Sequence, residues 1–505
     1  MIKRIQIQMP PDYSQDNLSK VVAEISNIKR PFFSIVSRSL DARKAGNIHY
    51  CINIDVSPNP LPAGDCLKIP LVNKNISAIV VGFGPAGYFA ALVLSRAGIS
   101  VTVLEKGKKV CERENDILHF ENSGSLVENS NYLFGEGGAG TFSDGKLTSR
   151  SKRISLEKEF ILKTYIEAGA DEEIEFDAHP HLGSDRLREM MPELRKILLR
   201  QNVQILFETE FKSFTKKNNR FSIETSKGTI ESDLLFIAPG HSSYNTYRSL
   251  IRSNVQFRTK PFAVGFRVEH PRALINRAQW KRDSLPGIRS AEYRLSYING
   301  DARVYSFCMC PGGNIVPAAV SQGHSAVNGA SNYARDGKYS NAAIVSAFTL
   351  ESRLKKTVLP LEVLDYVEEQ TSMLFNCTKS YNMPAVTISD FLKNRVSSVL
   401  PECSYPFEIF PYDYNMIFDN RLCSDLKEGL TYFCNKINGF EQGIIVGSEY
   451  TTSAPIQCFR DKEGEVEGVE KLYICGEGSG FAGGIISSAA DGVRLAMNAV
   501  CKMSG

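Results

Sequence analysis

Alternation and periodicity divide the chain into stretches of different texture. Ile5, Ile7 and Met9 alternate with polar residues, Leu18, Val21, Val22, Ile25 and Ile28 recur at helical spacing, and Ile48, Tyr50, Ile52, Ile54 and Val56 alternate again. With Phe32 to Ser39 as a further strand, this predicts a small α+β unit over residues 1 to about 57. The proline-rich run Ser57 to Gly64 reads as a linker. The first domain is therefore placed at 1–72 and is expected to be separable.

A different pattern follows. Ile79, Val80 and Val81 form a short apolar run typical of a buried strand; Ala86, Phe89, Ala90, Val93 and Ala97 then keep a helical period, and Ile99, Val101 and Val103 alternate as a second strand. Residues 155 to 200 read as helices, and Val203 to Phe214, Phe221 to Thr225 and Thr229 to Ile237 as strands. From 253 to 440 the texture changes again: Phe262, Val264, Phe266 and Val268 alternate, as do Tyr293, Leu295 and Tyr297, Val304 to Cys310 reads as a strand, and helices are expected over most of 341–375 and 421–437. The end returns to a strand, Leu472 to Cys475, and a helix with Ile485, Ala489, Val493, Ala496, Met497 and Val500 on one face. The fold class is thus α/β: a Rossmann-type domain over 73–252 and 441–505, an inserted mixed α/β substrate domain over 253–440, and the small N-terminal unit.

Between the first buried strand and its helix lies Gly82-Phe83-Gly84-Pro85-Ala86-Gly87, a G-x-G-x-x-G fingerprint in its full context. Gly82 permits the sharp turn, Gly84 lets backbone approach a pyrophosphate, Gly87 lets the helix pack on the sheet, and Pro85 suits a first helical turn. Glu105, 23 residues beyond Gly82, stands where an acid binds a ribose 2′-OH. This predicts an adenosine diphosphate moiety, as in FAD or NAD, and argues against a 2′-phosphate. No second complete unit of strand, fingerprint, helix and acid is found.

Two further glycine-rich stretches change the picture. Asn131 to Leu147 carries five glycines in eleven positions, which suits neither helix nor strand. Such a loop presents backbone N–H groups to something flat or anionic, and a flavin with its pyrophosphate is both. Gly476 to Gly484 then leads into the last helix, whose N-terminus offers free N–H groups to a reduced flavin.

Composition adds exclusions. The 505 residues imply two to four domains, and 43% apolar with 23% charged residues is ordinary for a globular protein. A net charge of +3 gives no sign of a nucleic-acid partner. The start lacks a leader-type apolar segment and no run is long enough to span a bilayer, so a cytoplasmic protein without membrane association is expected. Twelve cysteines lack any C-x-x-C or metal-type spacing. The cluster Arg38, Arg43 and Lys44 is either a ligand site or, the favoured reading, a solvated face.

SIVSRSLDARK, VVGFGPAGYFAAL, FGEGGAGTFSDGKL, PGHSS, KPFAVGFRVEH, FCMCPGG and GEGSGFAGGIISSAADG occur in that order. Through them the chain resembles the uncharacterised FAD-dependent dehydrogenases, relatives of the glutathione-reductase-2-type flavoproteins. The resemblance implies noncovalent FAD, with Gly82, Gly84, Pro85, Ala86, Gly87, Glu105 and Lys106 around the ADP half. Arg113, Gly137, Gly138, Thr141, Ala238, Gly240, Gly476, Glu477, Gly483, Gly484 and Ile485 would follow the pyrophosphate, ribityl chain and ring. Where that family carries E-T-R-T-S-S-P, this chain reads Glu449-Tyr450-Thr451-Thr452-Ser453-Ala454-Pro455, without the arginine.

Candidate catalytic residues lie in the insertion. Cys308 and Cys310 of FCMCPGG share a strand face with Cα atoms roughly 6.6 to 6.8 Å apart, suiting a redox pair, packing or substrate lining. Arg267 suits anion binding and His270 proton transfer, unless Arg267 and Glu269 are a surface pair. His241, His324 and Lys146 stay unranked. The expected function is an FAD-dependent oxidoreductase on a small molecule, with electrons from the substrate itself or from transiently docking NAD(P)H; the alternatives are a sensor or assembly partner with structural FAD, and an RNA-modifying flavoprotein. The oligomeric state is left open.

Overall fold

The structure is a computed structural model and describes every residue except 1, 45, 63, 65, 150, 152 and 505. Position 63 of the expected linker thus lies outside the described residues. Strands Lys3–Met9, His49–Ser57 and Phe32–Asp41 form an antiparallel sheet in that order, covered on one face by helix Gln15–Ser26. Leu18 and Val22 of the helix pack on Ile5, Ile7, Met9, Ile52, Ile54 and Val56, the residues whose alternation announced the unit. Its end is Ser57. Leu67, Ile69 and Val72 already pack with the next core, so the stretch 67–72 belongs there.

Arg38 corrects the reading of its basic cluster. Its side chain is 10% exposed, donating through Nε to Asp177 at 2.6 Å and through NH2 to Glu173 at 2.7 Å. Backbone bonds from Arg38 N to Phe176 O and from Ala178 N to Arg38 O complete the joint. Arg43 and Lys44 are exposed, as expected of a solvated face.

The nucleotide-type core is a parallel sheet in the order Leu472–Ile474, Leu234–Ile237, Ser77–Val81, Ser100–Leu104, Gln204–Leu206. Apart from Ser77, the central strands Ser77–Val81 and Leu234–Ile237 are apolar because both faces are covered. Helices Pro85–Arg96 and Ile485–Ser504 lie so close that a Cβ on Gly492 would stand 2.2 Å from Ala86 O. Between strands of this sheet, Phe211–Lys217, Arg220–Thr225 and Gly228–Ser232 form a separate antiparallel ribbon.

The insertion is built on seven strands in the order Ser296–Asn299, Ala302–Cys310, Tyr339–Phe348, Phe262–Pro271, Ile444–Glu449, Met383–Thr387, Ile409–Pro411. Two expectations change here. Residues 341–348 are strand, not helix, because Tyr339–Phe348 is central and buried on both faces. The boundary at 440 falls too early, since Ile444–Glu449 pairs with Phe262–Pro271. No helix among the described residues is long and apolar enough to cross a membrane.

Candidate functional site

A cleft opens where the parallel sheet meets the insertion. Gly82, Gly84, Pro85, Ala86, Glu105, Lys106, Gly138, Ala238, Gly240, Glu477, Gly484 and Ile485 line it, and so do Cys308, Asn328, Glu449, Thr451 and Thr452 from the insertion. One wall is therefore glycine-rich backbone. The other carries a thiol, an amide, a carboxyl and two hydroxyls.

The glycines divide by what a Cβ would meet. On Gly82, at φ 94°, it would lie 2.3 Å from Ala238 O, and on Gly87 2.0 Å from Gly82 O, so both serve the turn and the packing. On Gly84 the nearest atom would be Gly138 Cα at 3.7 Å, and on Gly240 and Gly484 there is nothing within 4 Å. Gly240 and Gly484, at φ 76° and 82°, need glycine for their backbone alone, but Gly84 is in extended backbone where neither conformation nor packing calls for glycine, and a ligand drawn against the backbone does. Helices Pro85–Arg96 and Ile485–Ser504 both begin at this wall, offering unpaired N–H groups to anionic atoms. The cradle fits an FAD.

Glu105 braces the fingerprint: one carboxylate oxygen accepts from Phe83 N at 2.9 Å and the other from Gly107 N at 2.8 Å. Beside it Lys106 Nζ lies 3.2 Å from the Phe134 ring centroid, and burial pulls its pKa down to about 8.

Several expected ligand residues stand behind the wall. Arg113 is fully buried and donates to Asn131 O, Tyr132 O, Glu136 O and Gly138 O, so it shapes the glycine loop from beneath because the carbonyls face inward. Gly137 at φ 81° packs on Thr141 and Met191, and Gly476 on Ala86. Gly137 and Thr141 border a second, smaller cavity behind Gly84 and Pro85, and Gly483 donates its N–H to Ser487 Oγ. The letters G-x-G-x-x-G also occur at Gly135–Gly140 and Gly478–Gly483. The first opens a short 3-10 turn and lines the cleft through Gly135, Gly138 and Gly140, whereas the second packs on protein, Gly478 on Pro239 and Gly480 on Ile456 and Gln457.

On the insertion side, the strand geometry assumed for the two cysteines is replaced by a bulge. The register against Tyr339–Phe348 shifts between Phe307 and Cys310, and Cys308 has φ 44°. Cys308 faces the cleft half-buried while Cys310 is buried beneath it. Hydrogen bonding from Cys310 holds the Cys308 thiol below the ordinary thiol range against its burial, helped by Lys146 and Arg267. The same coupling pushes Cys310 up. Lys146, unranked before, bonds to Met309 O and stands 3.4 Å from Asp144.

Arg267 does not face the cleft. Fully buried, it donates to Glu449 at 3.0 Å, Asn341 Oδ1 at 2.7 Å and Cys308 O at 3.2 Å, with Cys310 Sγ at 3.8 Å. Its acid is thus Glu449, not Glu269, which accepts from Ser404 N and Oγ. Burial works against both charges of the Arg267–Glu449 pair. Pairing restores the arginine's charge fully, raising its pKa, but leaves the Glu449 carboxyl pushed up to about 7. Glu449 was passed over in the sequence; the departing motif Glu449–Pro455 was its only signal. His270 is corrected outright: it is buried against Phe440, bonds to Phe440 O at 2.8 Å, and is pushed down to about 4 by burial, so it carries no proton to the cleft. His241 lines the cleft, whereas His324 bonds to Thr371 away from it.

Comparison with known proteins agrees with the cradle. Residues 75–114 match an FAD binding domain, 261–452 the C-terminal domain of FAD-dependent proteins, and 1–57 a domain of unknown function. FAD is the cofactor. An uncharacterized protein of Clostridium beijerinckii is 35% identical over 99% of this chain and 98% of its own. Among solved structures, the flavin-dependent halogenase CmlS (13% identity, 86% of this chain, 58% of that chain, TM-score 0.37) and CtdE in complex with FAD (12%, 84%, 82%, TM-score 0.33) are similar at a distance.

Proposed function

Because the chain belongs to one family with the Clostridium beijerinckii protein and carries an FAD-binding domain, we propose that it is an FAD-dependent oxidoreductase acting on a small molecule. The observation that carries this reading is a single cleft in which the FAD cradle faces Cys308 and Glu449 of the insertion. A flavin that were merely structural would need no such wall. Bound there, FAD supplies two-electron chemistry. The glycine wall binds and orients it. Glu449, poised near neutrality, gives or takes a proton at its carboxyl; Cys308 presents a thiol with raised thiolate character. Arg267 positions both without touching the substrate. A Rossmann-type nucleotide domain of the glutathione-reductase-2 kind fits the parallel sheet, and reduced nicotinamide, docking transiently, is the proposed donor.

The test is anaerobic titration of the purified yellow protein with NADH, NADPH and a metabolite panel, following flavin bleaching. At least one donor should reduce the bound flavin faster than free FAD, and Glu449→Gln should slow that step without loss of FAD. If no donor does so, the FAD is structural and this reading fails.

A further inference from the structure

The N-terminal unit carries a cluster that the cleft does not use. We propose that Asp41, His49 and Cys51 form a Zn2+ site at the open end of the hairpin made by Phe32–Asp41 and His49–Ser57. Asp41 pairs directly with His49 across the strands, and Cys51, two residues on from His49, projects from the same face. One ligand-capable atom of each lies within 4.8 Å of the others. Around a tetrahedral zinc such atoms stand about 3.4 to 3.6 Å apart, so side-chain rotation of roughly 1 Å closes the site.

A second observation points to a cation. His49 is 9% exposed; its Nδ1 lies 3.0 Å from Asn47 O, and its Nε2 is buried without a hydrogen-bond partner among the described residues. A carbonyl only accepts, so Nδ1 holds the proton and Nε2 presents a lone pair, the tautomer in which histidine binds metal with its other nitrogen anchored. A buried lone pair with nothing to receive it is costly, and a metal ion satisfies it. Imidazole, thiolate and carboxylate together select zinc over the oxygen-seeking Mg2+ and Ca2+. Three protein ligands leave the fourth position to water.

Arg43 is the competitor. It donates from its backbone N and its Nε to Asp41 Oδ1 at 3.1 and 3.0 Å and from Nε and NH2 to Asp41 Oδ2, so it holds both carboxylate oxygens, but its side chain is 88% exposed to competing water. Zinc must displace the exposed guanidinium from Oδ2, while the Arg43 backbone N–H keeps Oδ1. On binding, the Cys51 thiol releases one proton to solvent and a Zn–S bond forms; no electrons move. The opposite face of the same hairpin bears Arg38, which joins the unit to Glu173 and Asp177. Zinc would therefore stiffen the strand pair through which the unit is attached.

Full-length protein, stripped with a chelator and still holding FAD, is titrated with Co2+, watching the d–d bands at wavelengths beyond the flavin's. One equivalent should give intense tetrahedral bands that Zn2+ abolishes. Cys51→Ser and His49→Asn should each weaken binding by at least about 100-fold with FAD content unchanged. No such bands, or equal bands in both variants, overturns the proposal. Should the variants not fold, the unaltered protein decides: Zn2+ must slow iodoacetamide labelling of Cys51 and leave exposed Cys111 unaffected, and an unchanged Cys51 rate overturns the site.

Discussion

Arg113 and Arg267 are both fully buried, yet they sit in opposite kinds of cage. Arg113 is held by four backbone carbonyls and no carboxylate, and burial pulls its pKa down to about 9. Arg267 is held by Glu449, with one carbonyl, one amide and a thiol sulfur, and its pKa is raised. A buried cation that faces only carbonyls fixes backbone shape. One that faces a carboxyl and a thiol also biases their proton affinities, so Arg113 shapes the glycine loop and Arg267 acts on the groups of the opposite wall.

The largest effect to break this comparison is at Arg113. Arg113→Ala strands four buried carbonyls, each worth about 1.5–3 kcal/mol when bonded to a charge. We expect a loss of about 4 kcal/mol or more in urea unfolding, with FAD lost as well. Folded Arg113→Ala that keeps its FAD would show that the glycine loop holds its shape unaided.

Arg267→Ala comes next, since removing one partner of a buried pair costs about 3–5 kcal/mol. Glu449→Gln should cost less, because an amide can still accept from Arg267, and it carries a pH signature. The folded carboxyl stands at about 7, above its ordinary 4.5, so the native state holds more protons than the unfolded chain between these values. Stability contributed there is complete below about 4.5 and is lost as pH rises through 7. Glu449→Gln should flatten the fall in urea stability between these pH values without abolishing it, since burial also pushes Glu269 up to about 7. An unchanged slope would mean that Glu449 stays ionised throughout.

These two cages were unequally legible in the sequence. The fingerprint, its acid and the last helix follow from local rules, because a turn, a phosphate approach and a helix start constrain residues adjacent in the chain. The other wall does not. Arg267, Cys308, Asn341 and Glu449 meet only because four strands of one sheet pair across 182 residues of sequence. Tyr339–Phe348, the strand that brings Asn341 in, was misread as helix, since a strand covered on both faces loses its alternation. Arg113 was expected among the ligands, but nothing in sequence distinguishes an arginine above a loop from one below it.

Within the legible wall, Gly82 and Gly84 sharpen the contrast between fold and ligand. Gly82→Ala puts a Cβ 2.3 Å from Ala238 O at a positive φ, so the strand exit must distort and the protein should lose stability. The Cβ of Gly84→Val meets only Gly138 Cα near 3.7 Å, so the fold should hold while the branched side chain fills the space a pyrophosphate needs. Its melting point without ligand should match the parent's and its FAD content should vanish. Equal FAD in both proteins would move the pyrophosphate elsewhere.

The smallest effect on stability belongs to Cys308, and it isolates what the second cage does to chemistry. Cys308 is half-buried at φ 44°, and Cys308→Ser preserves shape, so unfolding should shift by less than about 1 kcal/mol. Reactivity should differ far more. Hydrogen bonding from Cys310 and the nearby Lys146 and Arg267 favour the thiolate, so iodoacetamide labelling of Cys308 should pass half-maximum at a lower pH than that of an ordinary thiol. Lys146→Met removes one cation while sparing the Arg267 cage, and should move that midpoint upward with FAD content unchanged. If the midpoint of Cys308 already lies in the ordinary thiol range, or does not move in Lys146→Met, then the buried cations do not act on this sulfur and Glu449 alone is left to serve the substrate.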